Sequence, residues 1–524
     1  MPRFAIAIRS AVVLAAALVV VGCATLRTDV ERVPSLAWSR PGETTLGTSA
    51  TARLAGSPGD SGFLLLDSGL DAFAARAALA ESAERTLDLQ YYIIHESATS
   101  KILIYRVLRA AERGVRVRIL VDDLSAAGKE LHLDFVATHP NIQVRVFNPF
   151  PSPGPLGLSQ LFEFIGSSER LNRRMHNKLW IADNAAAIVG GRNLGDEYFG
   201  ADATTDFADL DLLAVGPVVR ALSQSFDAYW NSEWAVPIQA FVAGPPSEEQ
   251  RSQFAAALDR NAEQFRESDY ASELRVAGFG RQLRQFEMPL VLAPAEVLYD
   301  DPAKPVPPAG QVSPSTVTAR IHSHVASAER EVLLITPYFI PSELSVATLT
   351  GLVQRGVRVR LLTNSLASTD VPAAFAGYAR YREQLLAGGV EIHEMRPLRA
   401  NAGAKVRLGS SGGSLHAKAI VVDRRFVAIG SMNLDPRSRR HNTEIALLAD
   451  SAKLGDQVAR LFGAAVQPAH AYQVELADPS RVDAGLVWIT EEGGKQVRYT
   501  SEPASLGKRL SAFLLSIFAP KDML

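Results

Sequence analysis

Met175-His176-Asn177-Lys178-Leu179-Trp180-Ile181-Ala182-Asp183, followed by Gly190-Gly191-Arg192-Asn193, returns later in the chain as Leu415-His416-Ala417-Lys418-Ala419-Ile420-Val421-Val422-Asp423 and Gly430-Ser431-Met432-Asn433. Both stretches obey H-x-K-x4-D-x6-G-[GS]-x-N. Six specified positions at about one in twenty each give a chance match on the order of 10⁻⁵ for a chain of this size. Two matches in one chain are therefore not accidental, and they point to a duplicated domain.

Two further pairs support the duplication. Ser82-Ala83-Glu84-Arg85 recurs as Ser327-Ala328-Glu329-Arg330, and Arg113-Gly114-Val115-Arg116-Val117-Arg118-Ile119-Leu120 recurs as Arg355-Gly356-Val357-Arg358-Val359-Arg360-Leu361-Leu362. The pairs keep the same order at nearly constant offset, which excludes a solenoid of short repeats. Within the first copy, Ala72 to Arg85 has helical spacing, Leu87 to Ile94 reads as a buried strand, Ser100 to Arg113 as a helix and Val115 to Val121 as a strand. Such alternation predicts two α/β domains, each a mainly parallel or mixed sheet flanked by helices.

The motif spacing has a physical reading. In an extended strand, residues i and i+2 face one side, so each histidine points with its lysine. Asp183-Asn184 and Asp423-Arg424 fall where a hairpin turn belongs. A turn centred there places Gly191 opposite His176 and Ser431 opposite His416, small residues that leave room for a substrate group, with Asn193 and Asn433 just beyond. An imidazole, an ammonium and an amide around one hollow suit a phosphodiester, whose oxygens need stabilising charge while one ester oxygen leaves. Lysine supplies that charge, so neither cofactor nor metal is expected. A lysine two residues from each histidine repels a cation, and no carboxylate lies at ligand spacing. Two histidines allow one to attack phosphorus while the other protonates the leaving alcohol.

The chain has 524 residues, 47% hydrophobic and 21% charged, with 54 Lys and Arg against 56 Asp and Glu. That balance argues against a general nucleic-acid coat, and the mean hydropathy of +0.05 excludes a disordered chain. The single cysteine removes intramolecular disulfides and zinc-cysteine clusters. It stands at position 23, after Arg3, Arg9 and the apolar run Ala11 to Val21. That run is too short for a comfortable membrane span and resembles a bacterial lipoprotein signal. Residues 1–22 are then a signal peptide and Cys23 a lipidated first residue; an uncleaved anchor or a buried thiol is the alternative. The expected location is the cell envelope, exposed to the periplasm, and Ala24 after Cys23 leaves inner or outer membrane open.

The expected division is a linker over 23–58, a first domain over 59–244, a helical connection with a Pro-rich stretch over 245–314, a second domain over 315–475 and an extension over 476–524. In that extension Leu506, Leu510, Phe513, Leu514, Ile517 and Phe518 share one helical face, either docked on the domains or facing a membrane surface.

The doubled H-x-K-x4-D pattern resembles the phospholipase D superfamily over nearly all of the mature chain. The resemblance implies two similar domains, one interfacial site and a covalent phosphohistidine. It makes His176 the nucleophile and His416 the general acid, with the reverse order open, and gives Lys178, Lys418, Asn193 and Asn433 the phosphoryl oxygens. Asp183 and Asp423, at the predicted turns, are expected to be structural. Asp209 and Glu444 occupy places similar to the family's supporting acids, with Asp211 competing with Asp209. Leu87 to Ile93, Arg116 to Asp123, Gly195-Asp196-Glu197-Tyr198-Phe199, Thr336-Pro337-Tyr338-Phe339-Ile340-Pro341 and Asn433-Leu434-Asp435-Pro436-Arg437-Ser438 together resemble the bacterial cardiolipin synthase branch, its C-type members above all. That branch implies transfer of a phosphatidyl group, from phosphatidylethanolamine in C-type members, to phosphatidylglycerol. Its partners are phospholipids at a membrane surface. A phospholipase D hydrolase, a nuclease and a non-catalytic lipid-binding lipoprotein are the competing readings.

Three further features keep two readings each. Tyr91, Tyr92, Tyr338 and Phe339 pack or wall a pocket; Asn172-Arg173-Arg174 meets anionic headgroups or forms a solvated turn. Gly409 to Ser414 admits a phosphate or is a plain loop. His95, His132, His139, His322, His324, His393, His441 and His470 share no motif spacing and are given no role.

Overall fold

The computed structural model describes residues 29–122, 133–149, 172–202, 206–241, 244, 246–304, 316–397, 413–481 and 485–518. Cys23 and the signal-like segment, His132 and Gly409 to Gly412 lie outside them, and of Ile517 and Phe518 only the helical backbone is described.

The first sheet uses β1 (Ser61–Leu66), β2 (Thr86–Tyr91), β3 (Arg116–Asp122), β4 (Ile142–Phe147), β5 (Leu179–Ala182), β6 (Ala186–Gly190), β8 (Asp211–Val215), β9 (Ala235–Pro237) and β10 (Val291–Ala293), while β7 (Phe207–Ala208) stands apart. The second uses β11 (Ala295–Tyr299), β12 (Glu331–Ile335), β13 (Arg358–Asn364), β14 (Glu391–Met395), β16 (Ala419–Val422), β17 (Phe426–Gly430), β18 (Ile445–Asp450), β19 (Ala471–Leu476), β20 (Leu486–Glu492) and β21 (Lys495–Tyr499), while β15 (Ser414–Leu415) pairs with β7. The strand orders are β10-β1-β8-β6-β5-β2-β3-β4-β9 and β11-β18-β17-β16-β12-β13-β14-β19-β20-β21, so the duplication covers a common run from β1 to β9 and from β11 to β19. Of the two expected forms the sheets take the mixed one. Among the described residues, strand pairing within the two large sheets is parallel across β2-β3-β4 and β12-β13-β14 and antiparallel elsewhere. The motif hairpins β5-β6 and β16-β17 insert antiparallel beside them.

Each repeated sequence element has a local job. Helices Gly69–Ser82 and Ala98–Glu112 begin at Ser68 and Ser97, whose hydroxyls accept the free amide of Asp71 and of Ser100. Gly114 and Gly356, at φ 94° and 87°, end the helices in the left-handed region that glycine enters without strain. Asp183 accepts the amides of Glu84, Arg85 and Thr86 at 2.9, 2.7 and 2.8 Å, and Asp423 does the same for Glu329, Arg330 and Glu331. The motif aspartates thus tie each hairpin to the repeated Ser-Ala-Glu-Arg segment.

Three apolar cores follow from this layering. One lies under the helices of the first half, one under those of the second, and the middle one joins Leu179, Ile181, Val189 and Leu212 to Ala419, Val421, Ile429 and Leu447. The two motif hairpins therefore pack against each other through their inner faces. The connecting segment forms helices Glu248–Glu267, Asp269–Ala277 and Phe279–Arg284, which cover the first half, before β10 and β11 close one edge of each sheet. Residues 29–58 run across the first half, where Arg118 and Arg145 donate to the carbonyls of Ser35 and Val33.

Candidate active site

Both motifs reach one place because each half completes the backbone of the other. The amide of His176 donates to Thr443 O at 2.9 Å and that of Thr443 to Arg174 O at 2.8 Å. The amides of His416 and Ala417 donate to Ala208 O at 2.9 and 3.0 Å. The residue after each of these partners is a carboxylate, so the pairing aims Glu444 at His176 and Asp209 at His416. Glu444 Oε2 lies 3.0 Å from His176 Nδ1, and Asp209 Oδ2 lies 2.6 Å from His416 Nδ1. Each imidazole is oriented by an acid from the opposite half, which engages Nδ1 and leaves Nε2 as the nitrogen not held by that acid.

All eight groups are buried: His176, Lys178, Asn193, Asp209, His416, Lys418, Asn433 and Glu444 are each at most 7% exposed. Burial, only partly offset by Glu444 and reinforced by Lys178, holds the His176 imidazole down at about 4, so it is neutral at pH 7. Burial and Lys418 also lower His416. Burial alone would raise Asp209, but His416 and Lys418 bring it to about 2; His176 and Lys178 likewise lower Glu444 against its burial. Lys418 falls to about 8 and Lys178 well below the ordinary lysine range, each chiefly by burial.

A pH dependence follows. Lys418 is charged below about pH 8 and neutral above it, so kcat/KM, which reports the free protein, falls as pH rises through that value. A flat profile up to the ordinary lysine pKa of 10.5 would contradict this assignment.

The hairpin register differs by one residue from the sequence expectation. Asp183, Asn184, Asp423 and Arg424 have φ of 52–55°, as a type I′ turn requires. The ladder nevertheless pairs Ala182 with Ala186 and Val422 with Phe426, adding one residue to each loop. Gly191 is therefore not set opposite His176 with space for substrate. The space is already filled: a Cβ on Gly191 would stand 2.2 Å from Asp209 Oδ1. In the second half the same room holds a hydroxyl, with Ser431 Oγ donating to Glu444 Oε2 at 2.5 Å. His176 and Lys178 also precede β5 rather than lie within it, and each lysine donates to the carbonyl of its own histidine. Gly191→Ala is expected to displace Asp209 and cost about 100-fold in kcat with the fold retained, because a displacement of about 1 Å carries a penalty of that order. Steady-state kinetics with a thermal melt checks this.

Asp211 is removed as a rival to Asp209: it pairs with Arg76 at 2.9 Å and Arg192 at 3.3 Å in the core. Arg174 is neither a headgroup contact nor a solvated residue. It is fully buried and pairs with Asp122 at 3.3 Å, while Arg173 lies 4.9 Å over the Trp234 ring. The aromatic positions divide. Tyr91 and Phe339 pack, whereas Tyr92 stands edge-on to His176 with ring centroids 5.0 Å apart and Tyr338 donates to Asp370 at 2.8 Å. Asn193 is held through both amide atoms, by Ile93 N and Tyr198 OH. Asn433 Oδ1 is buried without a partner among the described residues. Tyr198 and Phe207 wall His416 at 5.2 and 5.1 Å, and His95 lies 2.6 Å from Glu197 beside them. These three carried no motif spacing of their own; only Tyr198 lay in a segment of the resemblance. Among the described residues no group of three His, Cys, Asp or Glu is arranged to hold a metal ion.

A duplicated α/β fold whose two H-x-K-x4-D motifs meet across one interface defines the phospholipase D-like class. Comparison refines this: the family described as "Cardiolipin synthase, PLD-like domain" matches residues 77–230 and 321–466. The chain belongs to that family, and is a phospholipase D-family phosphatidyltransferase. It is similar to cardiolipin synthase C of Escherichia coli strain K12, at 38% identity over 467 residues, covering 88% of this chain and 95% of the relative. Cardiolipin synthase A of Pseudomonas entomophila strain L48 is 28% identical over 401 residues, 76% of this chain and 67% of the relative. A phosphatidylserine synthase of Haemophilus influenzae Rd KW20 shares the fold, with a TM-score of 0.56 and 14% identity over 90% of this chain and all of that one.

Proposed function

We propose that this protein makes cardiolipin by moving a phosphatidyl group from phosphatidylethanolamine to phosphatidylglycerol through a phosphohistidine. The observation that carries the reading is the crossed pair of dyads, Glu444 with His176 and Asp209 with His416, facing two buried lysines. His176 Nε2 attacks phosphorus and the bond to the ethanolamine oxygen breaks, with His416 giving that oxygen its proton. His416 then takes the proton of the phosphatidylglycerol hydroxyl; the freed oxygen attacks phosphorus and the P–N bond breaks, restoring His176. Lys178, Lys418, Asn193 and Asn433 hold the non-bridging oxygens. The similarity to a C-type cardiolipin synthase supports the choice of donor.

A membrane-surface location is supported by the C-terminal helix Leu506–Phe518. It packs on helix Pro372–Ala379 beside Asp370, whose charge acts on His416 and Lys418, with Ala512 inward and Leu506, Leu510, Phe513 and Leu514 outward. The apolar row therefore faces away from the domains. Arg509 sits beside that row, as suits an anionic lipid surface, while Lys508 turns toward the domains, its Nζ donating to Ala367 O. Among the described residues no helix is long and apolar enough to cross a membrane; Cys23, by our reading, supplies the lipid anchor. Vesicles holding both lipids test the reaction. Cardiolipin formed with one ethanolamine released per molecule is expected, whereas phosphatidic acid alone would replace transfer by hydrolysis.

A further inference from the structure

The two halves differ at one buried spot that the duplication should have made alike. In the first half Arg76 donates to Tyr91 OH at 3.0 Å and pairs with Asp211, which also meets Arg192; Trp180 fills the space beside them. The ladder registers identify the equivalent residues. Trp180 faces Leu89 as Ile420 faces Leu334, and Gly190 faces Asp211 as Gly430 faces Ala446. Arg192 corresponds to Met432 within the motif, and Arg76 to Ile321 through the repeated helix end at Ser82 and Ser327. An ionic plug with a large aromatic ring is thus replaced by Ile321, Ala446, Met432 and Ile420.

Shorter aliphatic side chains leave the plug's volume unfilled. A cavity of about 70 Å³ lies there, between helices Val317–Ala326 and Glu343–Gln354, walled by Leu334, Phe339 and Leu349 as well. Its outer end opens past Thr318, His322 and Thr348, which are partly exposed. Its inner end reaches Asn433, and an adjoining space of about 10 Å³ is lined by Lys418. Natural cores keep few such voids, and those that are apolar stay dry and accept apolar ligands. This one, mainly apolar but for Arg439 and the hydroxyls, reaches Asn433, and the adjoining space reaches Lys418, both assigned above to the phosphoryl group.

We infer that this slot takes the first methylenes of an alkyl chain belonging to the ester whose phosphate rests at Lys418 and Asn433, so that the second half selects for a lipid chain and the plugged first half does not. The inference rests on the phosphodiester reading of the site. Calorimetric titration of the full-length protein with octyl phosphate and ethyl phosphate, both below micelle formation, tests it without turnover. Wild type is expected to bind octyl phosphate about tenfold more tightly, the gain from burying about two methylenes. Ile321→Trp and, from the opposite wall, Leu349→Phe should remove that preference while leaving ethyl phosphate affinity and the melting temperature intact. Equal affinity for both esters in wild type, no binding of either, or a preference that survives in both folded variants would overturn the slot. Higher melting temperature with unchanged preference would make it a packing void. A chain-dependent binder that made no cardiolipin would keep the slot and lose the transferase reading.

Discussion

His176→Ala is expected to form no covalent intermediate and to lose at least about 10⁴-fold in turnover, the scale seen when a nucleophile is removed from a group that acts as a unit. The measurement is a rapid alkaline quench after mixing with phospholipid labelled in its phosphate, followed by peptide mapping. Wild type should carry the label on His176, since a phosphoramidate survives base and is lost in acid. The variant should carry none, because the proposed mechanism gives His416 the leaving oxygen rather than phosphorus. Glu444 would remain buried opposite an empty position, still held by the Ser431 and Ser438 hydroxyls. Lost turnover with an unchanged melt therefore reports chemistry rather than unfolding. Label on His416 in wild type would reverse the assignment of the two histidines.

His416→Ala separates the two steps of the cycle. With phosphatidylethanolamine the expected loss is about 10³ to 10⁴-fold, at the upper end of general acid catalysis, because an alkoxide must leave unprotonated. A phosphatidyl ester of p-nitrophenol has no such need. The variant should release one equivalent of nitrophenolate per protein in a burst and then stop, since no base remains to activate the acceptor hydroxyl. The label should accumulate on His176 during that burst. Continued multiple turnover with the activated ester would remove His416 from the second step; absence of a burst would remove it as a dedicated acid.

Much of the fold could be read from the chain because the decisive signals are local. The duplicated motif, the helix-ending glycines at Gly114 and Gly356 and the Ser-Ala-Glu-Arg segments each sit within a few residues of what they specify. The crossed dyads could not be read as pairs. Glu444 meets His176 across 268 residues and Asp209 meets His416 across 207, and neither acid has a periodic spacing to its histidine. Choosing Asp209 over Asp211 needed the core, where Arg76 and Arg192 claim the latter. The one-residue difference in hairpin register has the same origin. Positive φ at Asp183-Asn184 was legible from composition, but the extra residue in the loop depends on the ladder that β5 makes with β2. The hairpin β20-β21, which widens the second sheet, went unread in the C-terminal extension although Gly493-Gly494 marks its turn. The apolar row of the last helix was legible as a stripe, while the side it turns to the domains was not.

The central claim is phosphatidyl transfer from one lipid to another by a single site built from both halves. Lipid mass spectrometry of a cardiolipin-free bacterial host, with its phosphatidylethanolamine pool labelled in the phosphatidyl group and expressing wild type or His176→Ala, tests it most directly. The account predicts cardiolipin bearing the donor label with wild type and none with the variant. Phosphatidic acid without cardiolipin in the wild-type strain, or equal cardiolipin in both strains, would contradict it.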